Sequence, residues 1–196
     1  MDIIDNLKDR VRVCDNLILF GDVHTDPNGK EEIDKLFEEH KDIDCIALEL
    51  DYKRYDDFKK GKKMFLFKVF SLFSKRVRDF GKRYALAVKD CIKKEKDIPI
   101  ELIDTKNEIP SWIAGILLLH MALSKKRVDI AKELEKFEEK SESKYVENVK
   151  KNMIYDRDKF MVNKLKKIIP KYKKILVVVG YGHLNGIVKR LNDGKR

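Results

Sequence analysis

Four short apolar runs interrupt an otherwise polar chain, and each predicts a buried β-strand. They lie at residues 16–20, 44–49, 98–103 and 174–179. Continuous stretches of Leu, Ile and Val of this length are typical of strands that are covered on both faces. Between the first two runs, residues 30–40 predict a helix that follows the turn sequence Asp26-Pro27-Asn28-Gly29. This β-α-β spacing predicts that the first two strands are parallel neighbours.

The middle of the chain has a helical pattern instead. Apolar residues from Leu66 to Cys91 recur at alternating spacings of four and three. This repeat predicts one continuous helix of about 25 to 30 residues. Another short helix is predicted at residues 184–191, after the fourth strand. Together these elements predict one α/β domain over residues 1–196, with a mostly parallel central β-sheet flanked by helices and long helical insertions at about residues 55–97 and 111–168.

Composition narrows the class of protein. Hydrophobic residues make up 43% of the 196 positions, which is enough for a packed core. No apolar run reaches the roughly 18 to 20 residues that a membrane span needs, and the N-terminus lacks the pattern of a signal peptide. The three cysteines are widely spaced and predict reduced thiols rather than a disulfide framework. These features predict a cytoplasmic protein.

The net charge of +10 is concentrated in one segment, since residues 59–96 carry fourteen Lys and Arg against three acidic residues. The simplest interpretation is a helical seam packed within the domain or against a second copy in a homodimer, with the charges on its solvated face. A second interpretation is contact of residues 62–96 with an anionic membrane surface, which would make the protein peripheral to a membrane. No nucleic-acid module is recognisable, so no specific nucleic-acid partner is expected.

Two of the four histidines follow strand candidates in the same pattern, Gly-x-x-His. Gly21 precedes His24 after the first strand, and Gly180 precedes His183 after the fourth, with Gly182 beside it. Because the carboxyl ends of parallel strands share one edge of a sheet, both imidazoles are expected at that edge, where α/β proteins bind ligands. The glycines Gly21, Gly180 and Gly182 would let the backbone approach a ligand closely.

Acidic residues follow the other two strands. Glu49 and Asp104 end the second and third strands, and Arg54 lies just beyond Glu49. Two imidazoles and a carboxylate are a common ligand set for a divalent metal, whose bound water loses a proton near neutral pH. The alternative interpretation is structural: the histidines would cap helices, and Glu49 would form an ion pair with Arg54.

Five sequence blocks in this order resemble the TraB/PrgY family. They are Gly21-Asp22-Val23-His24, Ala47-Leu48-Glu49-Leu50-Asp51 with Arg54, Leu102-Ile103-Asp104, Asp156-Arg157-Asp158-Lys159-Phe160-Met161, and Val178-Val179-Gly180-Tyr181-Gly182-His183-Leu184-Asn185-Gly186-Ile187. One departure is that the Glu-Arg-Asp of the family is Asp156-Arg157-Asp158 in this chain. The family includes proteins linked to the shutdown of peptide pheromones. It is similar to the Tiki proteins, which resemble metal-dependent peptidases, and more distantly to the ChaN and erythromycin-esterase-like groups.

The resemblance implies a function and a set of site residues. The function would be metal-dependent hydrolysis of a peptide or another amide by a metal-activated water. The alternative is a non-catalytic protein that sequesters a peptide or a haem-like ligand in the same cleft. The expected ligands of a Mn, Co or Zn ion are His24, His183 and Glu49. The expected catalytic residues are Glu49, Asp104, Arg157 and Asp158. Arg54 is expected to contact the substrate together with Gly21, Gly180 and Gly182.

Overall fold

The structure, a computed structural model, describes residues 7–23, 26–61, 72, 75, 85–105 and 154–193. Its strands are β1 (Val11–Cys14), β2 (Leu17–Asp22), β3 (Cys45–Leu48), β4 (Ile100–Leu102) and β5 (Ile175–Gly180). Its helices are α1 (Leu7–Arg10), α2 (Gly29–Glu39), α3 (Tyr52–Lys59), α4 (Leu86–Lys93), α5 (Asp156–Ile168) and α6 (Tyr181–Asp193), with 3-10 turns at Lys94–Lys96 and Ile169–Lys171.

The strands form one five-stranded sheet in the order β1-β2-β5-β3-β4. All pairs are parallel except β1 and β2, which form an antiparallel hairpin at one edge. The α/β class with a mostly parallel sheet is therefore confirmed. Strand β1 was not predicted, because its sequence Val-Arg-Val-Cys contains no continuous apolar run and is only partly buried. The turn that follows is marked in the sequence only by Asp15, which adopts a φ of 52°.

The prediction that the first two strands are neighbours is wrong. Strands β2 and β3 are parallel, but β5 lies between them, and Val177 pairs with Leu19 on one side and Ala47 on the other. Every β5 side chain from Ile175 to Val179 is buried. The central position suits the most continuously apolar strand, since both of its faces and both of its edges are covered.

Alternate residues of the strands pack into two hydrophobic cores, one on each face of the sheet. On one face, Leu19, Ala47 and Val177 pack against α5 and α6 through residues such as Leu165 and Ile187. On the other face, Ile18, Phe20, Ile46, Leu48 and Val178 pack against α2 and α4. The described part of the chain thus has three layers, and the carboxyl ends of β2, β5, β3 and β4 share one edge.

The helical insertions are described only in part. Of the predicted insertion at residues 55–97, the structure describes the end of α3 and the segment from Ala85 onward, and of that at 111–168 it describes residues 154–168. The predicted continuous helix through residue 91 is wrong near its end, because Ala85 has a left-handed φ of 53° and α4 begins only at Leu86. In the part of the chain described, no helix is both long enough and apolar enough to cross a membrane.

Replacing Leu176 with Ala tests the central role of β5. The Leu176 side chain is fully buried in the sheet, so Leu176→Ala should lower the free energy of unfolding by about 2–5 kcal/mol. Urea unfolding measures this change. The control is Val13→Ala on β1, where the side chain is 62% exposed and the change should stay within about 0.5 kcal/mol. Equal effects of the two substitutions would contradict the strand order.

Candidate functional site

Glu49 lies at the carboxyl edge of the sheet, just after β3, and its carboxylate connects three elements. The backbone amide of Gly180, at the end of β5, donates a hydrogen bond to Oε2. The guanidinium of Arg157, in the first turn of α5, donates to Oε1. The Glu49 and Arg157 side chains are each only 11% exposed. Burial of this carboxylate is tolerated because each oxygen has a charged or amide donor.

His183 lies beside Glu49 in the first turn of α6, with its Nε2 atom 3.5 Å from Oε1 of Glu49. Its Nδ1 atom lies 2.6 Å from Oδ1 of Asp158, a side chain of α5 that is 1% exposed. A carboxylate can only accept a hydrogen bond, so the neutral imidazole carries its hydrogen on Nδ1 and leaves Nε2 free to accept or to bind a metal. The pair Asp158–His183 therefore fixes both the ring orientation and the tautomer.

Asp104, after β4, receives two guanidinium groups in the same region. Arg157 donates to it from Nε at 3.2 Å and from Nη2 at 2.6 Å, and Arg54 of α3 also donates to Oδ2. Burial alone would raise the pKa of Asp104, but hydrogen bonds and positive charge from Arg157 and Arg54 outweigh it, so the pKa lies below its usual value. Asp51 holds Arg54 in turn, through a 2.7 Å bond to Nε.

Sequence reasoning missed two residues that support Asp158. Arg190 of α6 donates to Oδ2 of Asp158 at 3.2 Å and to the carbonyl of Gly186 at 3.0 Å. A Cβ atom on Gly186 would lie 1.9 Å from that same carboxylate oxygen, so only glycine allows α6 to approach Asp158 this closely. The signal in the sequence was the glycine inside the fifth block, whose position in the helix faces Asp158.

The glycines predicted to contact substrate have different surroundings. A Cβ on Gly21 would lie 2.9 Å from the Tyr181 ring and 3.3 Å from its Cα atom, so Gly21 allows α6 to pack on β2. A Cβ on Gly182 would meet nothing within 4 Å. Gly180 contributes its amide to Glu49 as described above. These contacts give Gly21 a packing role and leave the substrate-binding prediction for the glycines as a prediction.

His24 lies outside the described residues, but both flanks of its loop are held by Arg10, another residue that sequence reasoning missed. Arg10 is 1% exposed; its Nε donates to the carbonyl of Gly21 at 2.9 Å, and its Nη1 pairs with the carboxylates of Asp26 and Glu32. The α1 helix has no sequence pattern that would have indicated this function. Arg10 therefore fixes where β2 leaves the sheet and where α2 begins.

The residues present can be compared with the needs of a divalent metal. Two ligand atoms at about 2.1 Å from one ion in tetrahedral geometry lie roughly 3.4 Å apart. The 3.5 Å between Nε2 of His183 and Oε1 of Glu49 matches this spacing. In metal-bound histidines the second ring nitrogen usually donates to a carboxylate or carbonyl oxygen, as Nδ1 of His183 does to Asp158. Within the described ranges, no group of three or more His, Cys, Asp or Glu side chains is arranged to hold a metal ion. Among the described residues, His183 and Glu49 thus have the spacing of two ligands of one metal ion.

The structure therefore brings six of the predicted site residues together in one network, made of two hydrogen-bonded groups that meet where Nε2 of His183 lies 3.5 Å from Oε1 of Glu49. The six are Glu49, Arg54, Asp104, Arg157, Asp158 and His183, joined by Asp51 and Arg190. This network contains one more carboxylate than guanidinium groups. It is a locally acidic region of a chain whose net charge is +10.

Comparison with known proteins agrees with the sequence blocks. The model of the TraB/PrgY/gumN family matches residues 130–194 of this chain. The match covers about a third of the chain, includes Arg157, Asp158 and His183, and supports the resemblance for the last two of the five blocks. No curated protein and no solved structure matches the chain.

Replacing Gly186 with Ala tests the close contact with Asp158. The added methyl group would overlap the buried carboxylate, so Gly186→Ala should lower the free energy of unfolding by about 1–3 kcal/mol. Gly182→Ala is the matched control in the same helix: its methyl group meets nothing, and the substitution should leave stability unchanged or raise it by up to about 1 kcal/mol. Urea unfolding measures both. Equal stability of the two variants would contradict the contact.

Asp104→Asn tests the charge network through pH. Because the pKa of folded Asp104 lies below its unfolded value of about 3.9, its ionisation stabilises the fold above that pH, and the stabilisation is lost as pH falls through the folded pKa. Asp104→Asn should cost about 2 kcal/mol near neutral pH and less as pH falls toward about 3. Urea unfolding across this range measures the difference. Asp97→Asn, at an exposed position, is the control; a penalty for Asp104→Asn that does not change with pH would contradict the assignment.

Proposed function

We propose that the protein is a metal-dependent hydrolase that cleaves a peptide or another amide. The observation that carries this proposal is the spacing of 3.5 Å between Nε2 of His183 and Oε1 of Glu49, with Nδ1 of His183 held by Asp158. His24 would be the third ligand, as the sequence predicts. A bound Mn, Co or Zn ion would supply an activated water and polarise the amide carbonyl.

The buried acids are proposed to position other groups rather than to contact the substrate. Asp158 is 1% exposed and engages both His183 and Arg190, so its function would be to orient the imidazole. The Asp104 side chain is fully buried between Arg157 and Arg54 and would hold these two cations in place. Neither carboxylate is exposed enough to orient a water at the sheet edge.

Arg54 is the cation best placed for a substrate. Its side chain is 35% exposed, whereas that of Arg157 is only 11% exposed. Arg54 would therefore bind a carboxylate of the substrate or the oxyanion that develops during hydrolysis, in a geometry set by Asp51 and Asp104. Arg157 would fix the rotamer of Glu49.

A non-catalytic binding protein is the second candidate. One contact favours it: both oxygens of Glu49 already accept hydrogen bonds, from Arg157 and from the Gly180 amide. A metal ion would have to share Oε1 with a guanidinium group. In this second function, the same edge of the sheet would sequester a peptide or a haem-like ligand without cleaving it.

Metal binding to protein purified without chelator separates the two functions. Elemental analysis and calorimetry with Mn²⁺, Co²⁺ and Zn²⁺ should show one ion per chain, and a mixture of fluorogenic peptides should be hydrolysed when that ion is present. His183→Ala should abolish both. Asp158→Asn should weaken metal binding by about 10-fold to 100-fold, because it only orients His183.

His40→Ala is the matched control, since His40 caps the end of α2 away from the network. It should bind metal and hydrolyse peptides like the wild type. Unchanged metal binding in His183→Ala, or a protein that takes up none of the three ions, would contradict the hydrolase. Peptide binding by such a metal-free protein would favour the sequestering function.

A further inference from the structure

A small cleft opens beside the acidic network, on the face of the sheet that carries α3 and α4. The polar part of its lining, called the rim below, includes Glu49 and Gly180, which belong to the candidate site, together with Asp22 and Arg54. Its volume is about 60 Å³. Because Glu49 and Gly180 line both the network and the cleft, a substrate at the network would reach the cleft with an adjacent group.

Part of the cleft lining is apolar and is called the floor below. It includes Leu50, Ala85, Val88 and Val178 of the hydrophobic core of that face, and Phe58, which packs against that core. The core side chains are each less than one-tenth exposed, so the floor is rigidly packed. An aliphatic group seated against these side chains would leave water without losing a hydrogen bond.

The volume limits the size of an occupant. A cavity of about 150 Å³ holds a benzene ring, and a cavity needs only about 10–15 Å³ to hold a water molecule. At about 60 Å³, this cleft is too small for a phenyl ring or a long charged side chain and suits a few aliphatic carbons. Alanine and valine side chains have that size.

From the size, the apolar floor and the shared rim, we infer that the cleft is a specificity pocket for a small aliphatic side chain of the substrate. This inference rests on the proposed function, since it places that side chain next to the amide bond presented to Glu49 and His183. The polar rim would orient the backbone, and the floor would select the side chain. Differences of one methylene in an apolar pocket change selectivity by about 10-fold to 200-fold.

Binding and cleavage of one peptide series test the inference. The probes are acetylated Gly-Xaa-Gly amides in which Xaa is Ala, Val, Phe or Lys, measured by calorimetry for affinity and by release of free amine for hydrolysis, with Mn²⁺, Co²⁺ or Zn²⁺ present. The Ala and Val peptides should bind at least about 10-fold more tightly than the Phe and Lys peptides. Equal affinities, tightest binding of Phe or Lys, or no binding of any peptide would overturn the pocket.

Two substitutions of Val88 change the volume of the cleft in opposite directions. Val88→Ala enlarges the cleft and should shift the preference toward the Phe peptide by about 10-fold, whereas Val88→Phe fills it and should remove the preference for Ala and Val. Val13→Ala, on the exposed edge strand, is the matched control and should keep the wild-type preference. Circular dichroism checks that each variant is folded, and an unchanged preference in folded Val88→Ala would overturn the pocket.

The two measurements separate this inference from the proposed function. Selective binding of the Ala and Val peptides without any cleavage would overturn the hydrolase and leave the pocket in place. Cleavage with no dependence on Xaa would overturn the pocket and leave the hydrolase in place.

Discussion

The arrangement of the sheet edge depends on the carboxylate of Glu49, which is only 11% exposed. Burying it requires donors for both oxygens, and these come from the Gly180 amide on β5 and from Arg157 on α5. Arg157 is itself buried and needs Asp104 as a second partner, and Asp104 in turn holds Arg54. Each of these charged groups thus needs the next one as a partner. As a result, β3, β4, β5, α3 and α5 cannot shift independently at this edge.

The network combines acidic character with an overall basic chain. The surplus Lys and Arg lie elsewhere in the sequence, mainly in residues 59–96. At the sheet edge, carboxylates outnumber guanidinium groups by one, which favours a cationic ligand through direct Coulomb attraction at low local dielectric. A divalent ion would fit this charge balance, whereas an anion would be repelled by the excess of carboxylates except beside Arg54, the most exposed cation of the network.

Sequence reasoning could predict what depends on local pattern. The apolar runs gave the four parallel strands to within a few residues, and the polar residues that follow them predicted that Glu49, Asp104 and His183 lie close together. The position of β5 between β2 and β3 could not be predicted, because strand order is set by long-range pairing that leaves no local signal. The same holds for Arg190 and Gly186, whose functions arise only when α6 packs on α5, and for the left-handed Ala85, which interrupts an unbroken apolar repeat.

The central position of β5 also explains how one sheet edge can serve two different purposes. Residues at the end of β5 contact both faces of the sheet: Gly180 donates its amide to Glu49, and the helix that follows places His183 against Asp158 on the α5 face. On the opposite face, Val178 and Gly180 line the apolar cleft beneath α3 and α4. An edge strand has a neighbouring strand on one side only, so residues at its end could not lie beside both the network and the cleft. The predicted strand order was therefore wrong at the one strand whose end lies beside both the polar network and the cleft.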